Sequence, residues 1–130
     1  MGTSSLTPML TVNDAVSAVE FYREAFGAVE QTRFTAPTGH VVAELAIHGL
    51  PFFVVDENPD AFNMSPKSLN GTTVRLNLLV DNPDAIAAQA IRAGATEIFP
   101  VADQPYGLRQ GRFADPDGHH WLIGKPLDQR

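Results

Sequence analysis

Apolar residues recur along this chain at two periods, and the same succession of periods occurs twice. Near the start a short apolar run, Leu10-Thr11-Val12, stops at Asn13-Asp14, after which Ala15, Ala18, Val19, Tyr22 and Phe26 recur at helical spacing. Beyond the middle, Leu78-Leu79-Val80 stops at Asp81-Asn82, and a second helical stretch runs to Ala93. The two stretches close alike, on Gly27-Ala28 and Gly94-Ala95. Glycine is the residue that most readily ends a helix. Asn13 or Asp14, and later Asn82, stand where helix caps are needed; Pro83 suits a first helical position and Asp84 the positive dipole end.

The stretch after each helix is rich in strand signals. Residues 29–36, 40–47 and 51–55 read as three strands, separated by Pro-Thr-Gly and His-Gly-Leu turns. Residues 96–101, 109–114 and 119–123 play the same parts in the second half, with Asp115-Pro116-Asp117-Gly118 as a hairpin turn. The order is therefore βαβββ, then a polar stretch at 57–71 that reads as a linker, then βαβββ. Repetition at about half the chain length implies two similar modules packed as one unit. Module 1 spans about 6–56 and module 2 about 72–126 of a single domain over 1–130. The repeat also predicts a cleft lined by both copies. Pro37-Thr38-Gly39-His40 is echoed by Pro116-Asp117-Gly118-His119 at a wider interval than the helices are. The extra residues fall at 102–109, which predicts a long loop beside the cleft.

Strand parity sorts the side chains. Thr73, Arg75, Asn77 and Leu79 should share one face, as should Val42, Glu44 and Ala46 on their own strand, and both sets are expected at the cavity. Val74, Leu76, Leu78 and Val80 should pack under the helices. Phe34, Phe53, Tyr106 and Phe113 are candidate stacking surfaces for a planar ligand, although each also suits a core. Trp121 has the opposite parity to Leu122 and is expected inside. Phe62 and Met64 lie in the linker, where exposed apolar groups point to a lid or a dimer contact.

Composition narrows the function. Hydrophobic residues make up 44% and charged residues 18%, as in ordinary globular proteins. The net charge of −6 and the lack of a basic cluster argue against a nucleic-acid partner. There is no cysteine, which removes disulfides, thiolate metal sites and a cysteine nucleophile. No apolar run reaches the roughly 20 residues of a membrane span, and the start lacks a secretory pattern, so a cytoplasmic protein is expected. His40, Glu44 and His48 share a face, but four strand residues separate neighbours by about 13 Å, too far to share an ion. His119 reads as a structural turn residue, whereas His120 has the parity of Leu122 and faces the cavity or its rim. Asp115 and Asp117 read as turn residues serving the backbone. No nucleophile elbow, phosphate loop or dinucleotide fingerprint is present.

The strings LTPMLTVNDAVSAVEFYREAFGA, HVVAELAI, VRLNLLVDNPDAIAAQAIRAGA and YGLRQGRFADPDGHHWLI together resemble the vicinal-oxygen-chelate superfamily over about residues 6–126. That superfamily holds glyoxalases, ring-cleaving dioxygenases, fosfomycin-resistance enzymes and bleomycin-resistance proteins. The likeness is strongest to small members with the string found here at Tyr106 to Pro116. It implies an α+β fold of two βαβββ modules forming a curved mixed sheet around a cavity, helices on the convex side, in a homodimer. In metal-dependent members four side chains hold one divalent ion, and those positions fall on Thr7, Glu44, Arg75 and Leu122. Only Glu44 keeps a suitable donor. Leu122 has no lone pair, and Arg75 is a permanent cation with donors only. No metal, no other cofactor and no catalytic residue are therefore expected. Arg75 is instead expected to pair with Glu44 or to bind an anionic or carbonyl group of a ligand.

The resulting expectation is a metal-independent binder that sequesters a small apolar or aromatic compound, an antibiotic or secondary metabolite, with ligand contacts from Thr7, Phe34, Glu44, Phe53, Arg75, Asn77, Tyr106, Phe113, His120 and Leu122. The alternative is a glyoxalase-like lyase, isomerase or dioxygenase with Glu44 as its base.

Overall fold

In the computed structural model, which describes residues 2–127, the first module runs through β1 (Met9–Val12), α1 (Ala15–Phe26), β2 (Val29–Thr35), β3 (Val41–Ile47) and β4 (Leu50–Asp56). A 3₁₀ turn (Pro59–Ala61) and the single-turn helix α2 (Pro66–Leu69) lead to the second module. That module comprises β5 (Arg75–Leu79), α3 (Pro83–Ala93), β6 (Thr96–Asp103), β7 (Leu108–Ala114) and β8 (His120–Pro126). Each module forms its own four-stranded mixed sheet, in the orders β1-β4-β3-β2 and β5-β8-β7-β6. The first strand is parallel to the fourth, and the other pairings are antiparallel. The βαβββ repeat read from the sequence is thus present twice.

The helix signals hold with one change. Gly27 adopts a left-handed conformation at φ 70° and its N–H bonds back to Arg23, ending α1. Asn82 accepts from the Ala85 N–H at 3.1 Å ahead of Pro83, as a cap should. Asp14 does not cap α1, because its carboxylate takes the Ser17 hydroxyl. The cap comes from across the module: Asp56, at the end of β4, accepts the Ala15 N–H at 2.6 Å and the Val41 N–H at 2.7 Å. One carboxylate so fixes the helix start to two strands.

Burial alternates along β3. Val41, Ala43, Leu45 and Ile47 are buried, while Val42, Glu44 and Ala46 are half-buried on the other face. In the second sheet Phe113, Trp121 and Ile123 are buried in the same way. The two buried faces meet. Phe52 of β4 and Trp121 of β8 have ring centroids 5.8 Å apart, and Trp121 also packs on Tyr22 and Phe26 of α1 at 5.6 and 4.7 Å. A single helix is too narrow to cover four strands, so the modules pool their helices and inner faces in one core. The outer faces consequently turn away from each other. Core therefore fills most of the space between the copies, and what stays open is the two outer faces and a groove where residues of both modules meet.

The hairpin turn of module 2 fastens the modules together. Asp115 is buried at 5% exposure and accepts four hydrogen bonds. Oδ2 receives the Tyr22 hydroxyl and, at 3.0 Å, Trp121 Nε1; Oδ1 receives the backbone N–H groups of Asp117 and His119. Asp117 Oδ1 accepts the Asn13 N–H at 2.8 Å, and His119 Nε2 lies 2.7 Å from the Thr11 carbonyl. The turn residues serve structure, as their position in a tight turn implies.

Two connections differ from expectation. The stretch at 57–71 is ordered: Glu57 accepts the Ser65 N–H and the Ser68 hydroxyl, and Ser65 is fully buried. The residues at 102–109 form no long loop. They lengthen β6 and β7, leaving a turn at 104–107 closed by the Gln104 N–H to the Leu108 carbonyl. Two register irregularities in the β6–β7 pairing absorb the additional length.

Candidate functional site

The outer face of the first sheet carries Glu44 with Phe53 as its cross-strand neighbour, and Phe34 beside Val42 in the adjoining row. Phe34 is 62% exposed. The outer face of the second sheet is more polar. Arg75 stands opposite His120, which stands opposite Ala114; in the next row Asn77, Leu122 and Arg112 line up across three strands. Between the ends of the sheets lies a groove of about 500 Å3, with Thr7, Arg75 and Asn77 among Leu6, Leu50, Phe52, Val74, Leu76 and Trp121.

The expected ligand residues therefore divide into three places. Thr7, Arg75 and Asn77 meet at the groove; Phe34, Glu44 and Phe53 share the first outer face; Tyr106, His120 and Leu122 belong to the second. Phe113 is a correction. It is 1% exposed on the inner face, because it pairs with Trp121 and so shares the parity of the core. The expected pair of Arg75 with Glu44 is a second correction, since no ion pair joins them among the described residues. They stand on outer faces that diverge.

Two site residues escaped the sequence reading. Gln110 is 4% exposed although it lies on the outer face. The Tyr106 hydroxyl donates to its Oε1 at 2.7 Å, and its Nε2 reaches Asn77 Oδ1 at 3.5 Å. Gly124 opposite makes the room, as a Cβ there would stand 3.1 Å from the Gln110 Cβ and 2.5 Å from the Arg109 carbonyl oxygen. Arg112 is the other: its Nε donates to His120 Nδ1 at 2.8 Å. Parity with Ala114 could have placed both on the outer face. Arg109, which stands out in the sequence string, faces elsewhere and grips Asp84 at the start of α3 and Asp103 on β6.

Burial, followed by the charge of Arg112, lowers the His120 pKa below its ordinary value. The fold thus favours the neutral ring. Its contribution to stability is present above the unfolded value near 6.5 and is lost as pH falls through the folded value. An NMR titration should show a His120 midpoint below that of an exposed histidine, and Arg112→Gln should move it upward. A midpoint unmoved by the substitution would refute the contact.

The residues that the resemblance places at the metal positions do not fit a divalent ion. Thr7 offers a neutral hydroxyl, Leu122 nothing, and Arg75 a positive charge that would oppose the ion. Among the described residues no three His, Asp or Glu side chains of one chain converge.

Paired βαβββ modules with open outer faces and this turn define a class, that of glyoxalase-like chains. The protein belongs to the glyoxalase-like domain family, which matches residues 9–123. The uncharacterized protein Mb0911c of Mycobacterium bovis is 42% identical over 127 residues, covering 95% of this chain and 84% of that protein. TioX from Micromonospora sp. ML1 has the same fold at a TM-score of 0.74 and 25% identity, over 96% of this chain and 100% of that one. The fosfomycin resistance protein FosX of Listeria monocytogenes superposes at a TM-score of 0.75 with 17% identity, over 97% and 95% of the two chains. The vicinal-oxygen-chelate resemblance of the sequence is thereby established. No helix among the described residues is long and apolar enough to cross a membrane.

Proposed function

We propose that this protein captures a small apolar or aromatic compound without a metal, in cavities completed by a second copy of the chain, and so acts as a resistance-type binder of an antibiotic or secondary metabolite. The observation that carries this reading is uncovered apolar surface beside Thr7, Arg75 and Leu122, side chains that do not fit a divalent ion. Met9, Phe34, Leu50, Val74 and Leu79 are each about half exposed or more. β1 and β5 each pair on one side only. Bare edges and apolar patches of this kind call for a partner. A second chain laid against the outer faces would enclose a cavity that one chain leaves open.

The energetics suffice without chemistry. Burying about 300 Å2 of ligand apolar surface is worth on the order of 7 kcal/mol before association costs. Thermal unfolding in excess chelator tests the proposal. A panel of two-ring aromatics should contain members that raise Tm by several degrees at saturation, unchanged by the chelator. A rise that appears only after a divalent ion is restored would favour the enzyme alternative with Glu44 as base. No rise with any compound would end the capture reading.

A further inference from the structure

The charges on the outer face of the second sheet set it apart from the rest of the chain. Arg23, Arg33 and Arg109 all pair with carboxylates. Arg75 and Arg112 have no carboxylate within 4 Å among the described residues, although the chain carries 15 acidic residues against 9 basic ones. Arg92 has none either, but it stands apart from them in the last turn of α3. Arg75 and Arg112 share one face, on the strands flanking β8, with His120 between them. Arg112 spends its Nε–H on His120 Nδ1 at 2.8 Å. That bond leaves the hydrogen of the neutral ring on Nε2, so His120 also presents a donor, and the terminal nitrogens of Arg112 remain available. The three donor groups therefore stand on adjacent strands of one face, Arg75 directly opposite His120 and at the rim shared with the groove, Arg112 one row on. The remaining members of these strand rows are Asn77, Leu79, Leu122, Gln110, Ala114 and Gly124, with Thr96, Phe99 and Ala102 continuing them on β6, none of them acidic. The acids nearest His120 in the chain are spent in the turn: Asp115 holds four donors, and Asp117 accepts the Asn13 N–H.

We infer that the outer face of the second sheet is an anion site, in which Arg75, Arg112 and His120 take the carboxylate or phosphate head of a ligand whose apolar body lies toward Leu122 and Leu79. The inference rests on the capture reading and narrows it, from any aromatic compound to an organic anion. Arg112 is half-buried and Arg75 is exposed in the single chain. Enclosing both by a second copy would be expensive without an anion as their counterpart. Were that copy to set its Glu44 against this face, it would add one negative charge against two arginines, so an enclosed cavity would still favour an anion. Guanidinium groups match planar oxyanions through paired donors, which a lysine would not do.

Calorimetric titration of the intact protein with matched probes tests this. 1-Naphthoate and 1-naphthyl phosphate carry the same ring as neutral 1-naphthamide. At least one anion should bind tenfold or more tightly than the amide, and the better of the two identifies the head group. Arg75→Gln and Arg112→Gln should each lower anion affinity at least tenfold and amide affinity much less, so that the preference for the anion collapses. Arg92→Gln, which removes the arginine of α3, should change neither. Melting curves of the three variants check that each remains folded. Equal binding of amide and anions, or a loss equally large in Arg92→Gln, would overturn the anion site while leaving capture intact. Failure of all three probes to bind would overturn both.

Discussion

Replacing Asp115 by alanine is expected to cost on the order of 3–5 kcal/mol of folding stability, a large part of what a domain of this size has. The carboxylate sits where the second module meets the first, and four donors depend on it. Removing it leaves the Tyr22 hydroxyl, the Trp121 indole and two backbone N–H groups without an acceptor in a dry interior. Burial, and then the negative charge of Asp115, pushes the Tyr22 pKa up, so this hydroxyl stays protonated and donates at all ordinary pH. Asparagine is no remedy. Its NH2 group would face either the two side-chain donors or the two backbone donors, a mismatch whichever way the amide turns. Urea unfolding at fixed protein concentration should rank the wild type above Asp115→Asn and place Asp115→Ala lowest or equal to it. Tyr22→Phe in the alanine background should cost less than it does alone, since the partner has already gone. Stability within 1 kcal/mol of wild type for the alanine variant would refute the latch.

Trp121→Ala is expected to cost about 3–5 kcal/mol, as large-to-small changes of buried aromatics do. The ring touches Tyr22 and Phe26 of α1 and Phe52 of β4, so it joins a module 2 strand to two elements of module 1. Its loss opens a cavity at the junction and leaves the Asp115 carboxylate short of one donor. Leu122→Ala, one residue on, is expected to cost about 1 kcal/mol or less, because Leu122 is half-buried on the outer face. The contrast between neighbours in thermal or urea unfolding measures directly that β8 has a core face and an open face. Similar costs for the two would contradict the assignment of faces.

The architecture was legible in the sequence because it rests on local signals. The helix stops at Gly27 and Gly94, the Asn82 cap, the alternation along β3 and the Asp115 to Gly118 turn are all short-range features, and their repetition gave the modules. The way the modules face each other was not legible. Parity tells that Val42 and Glu44 share a face, and that Arg75 and Asn77 share another, but contains nothing about whether those faces converge. The contact of Phe52 with Trp121, which decides the matter, joins residues far apart in the chain. The same gap explains the expected pair of Glu44 and Arg75. Phe113 was misplaced for a different reason: an aromatic in a strand serves a core or a stacking surface equally well, and only its register with Trp121 discriminates. Asp56 as the α1 cap and Gln110 against Asn77 depend on tertiary partners that no window of sequence displays. The residues 102–109 carry turn formers enough for a loop, yet the additional length went into the hairpin strands.

Native mass spectrometry of the purified protein gives the subunit count, the metal content and the ligand count in one spectrum. Metal-free capture by a dimer predicts a species of about 28 kDa, twice the 14.1 kDa chain. It predicts no bound divalent ion and, with a two-ring aromatic present, two ligands per dimer. A monomer that takes up the ligand on its own, or a dimer carrying one divalent ion per chain, would contradict it.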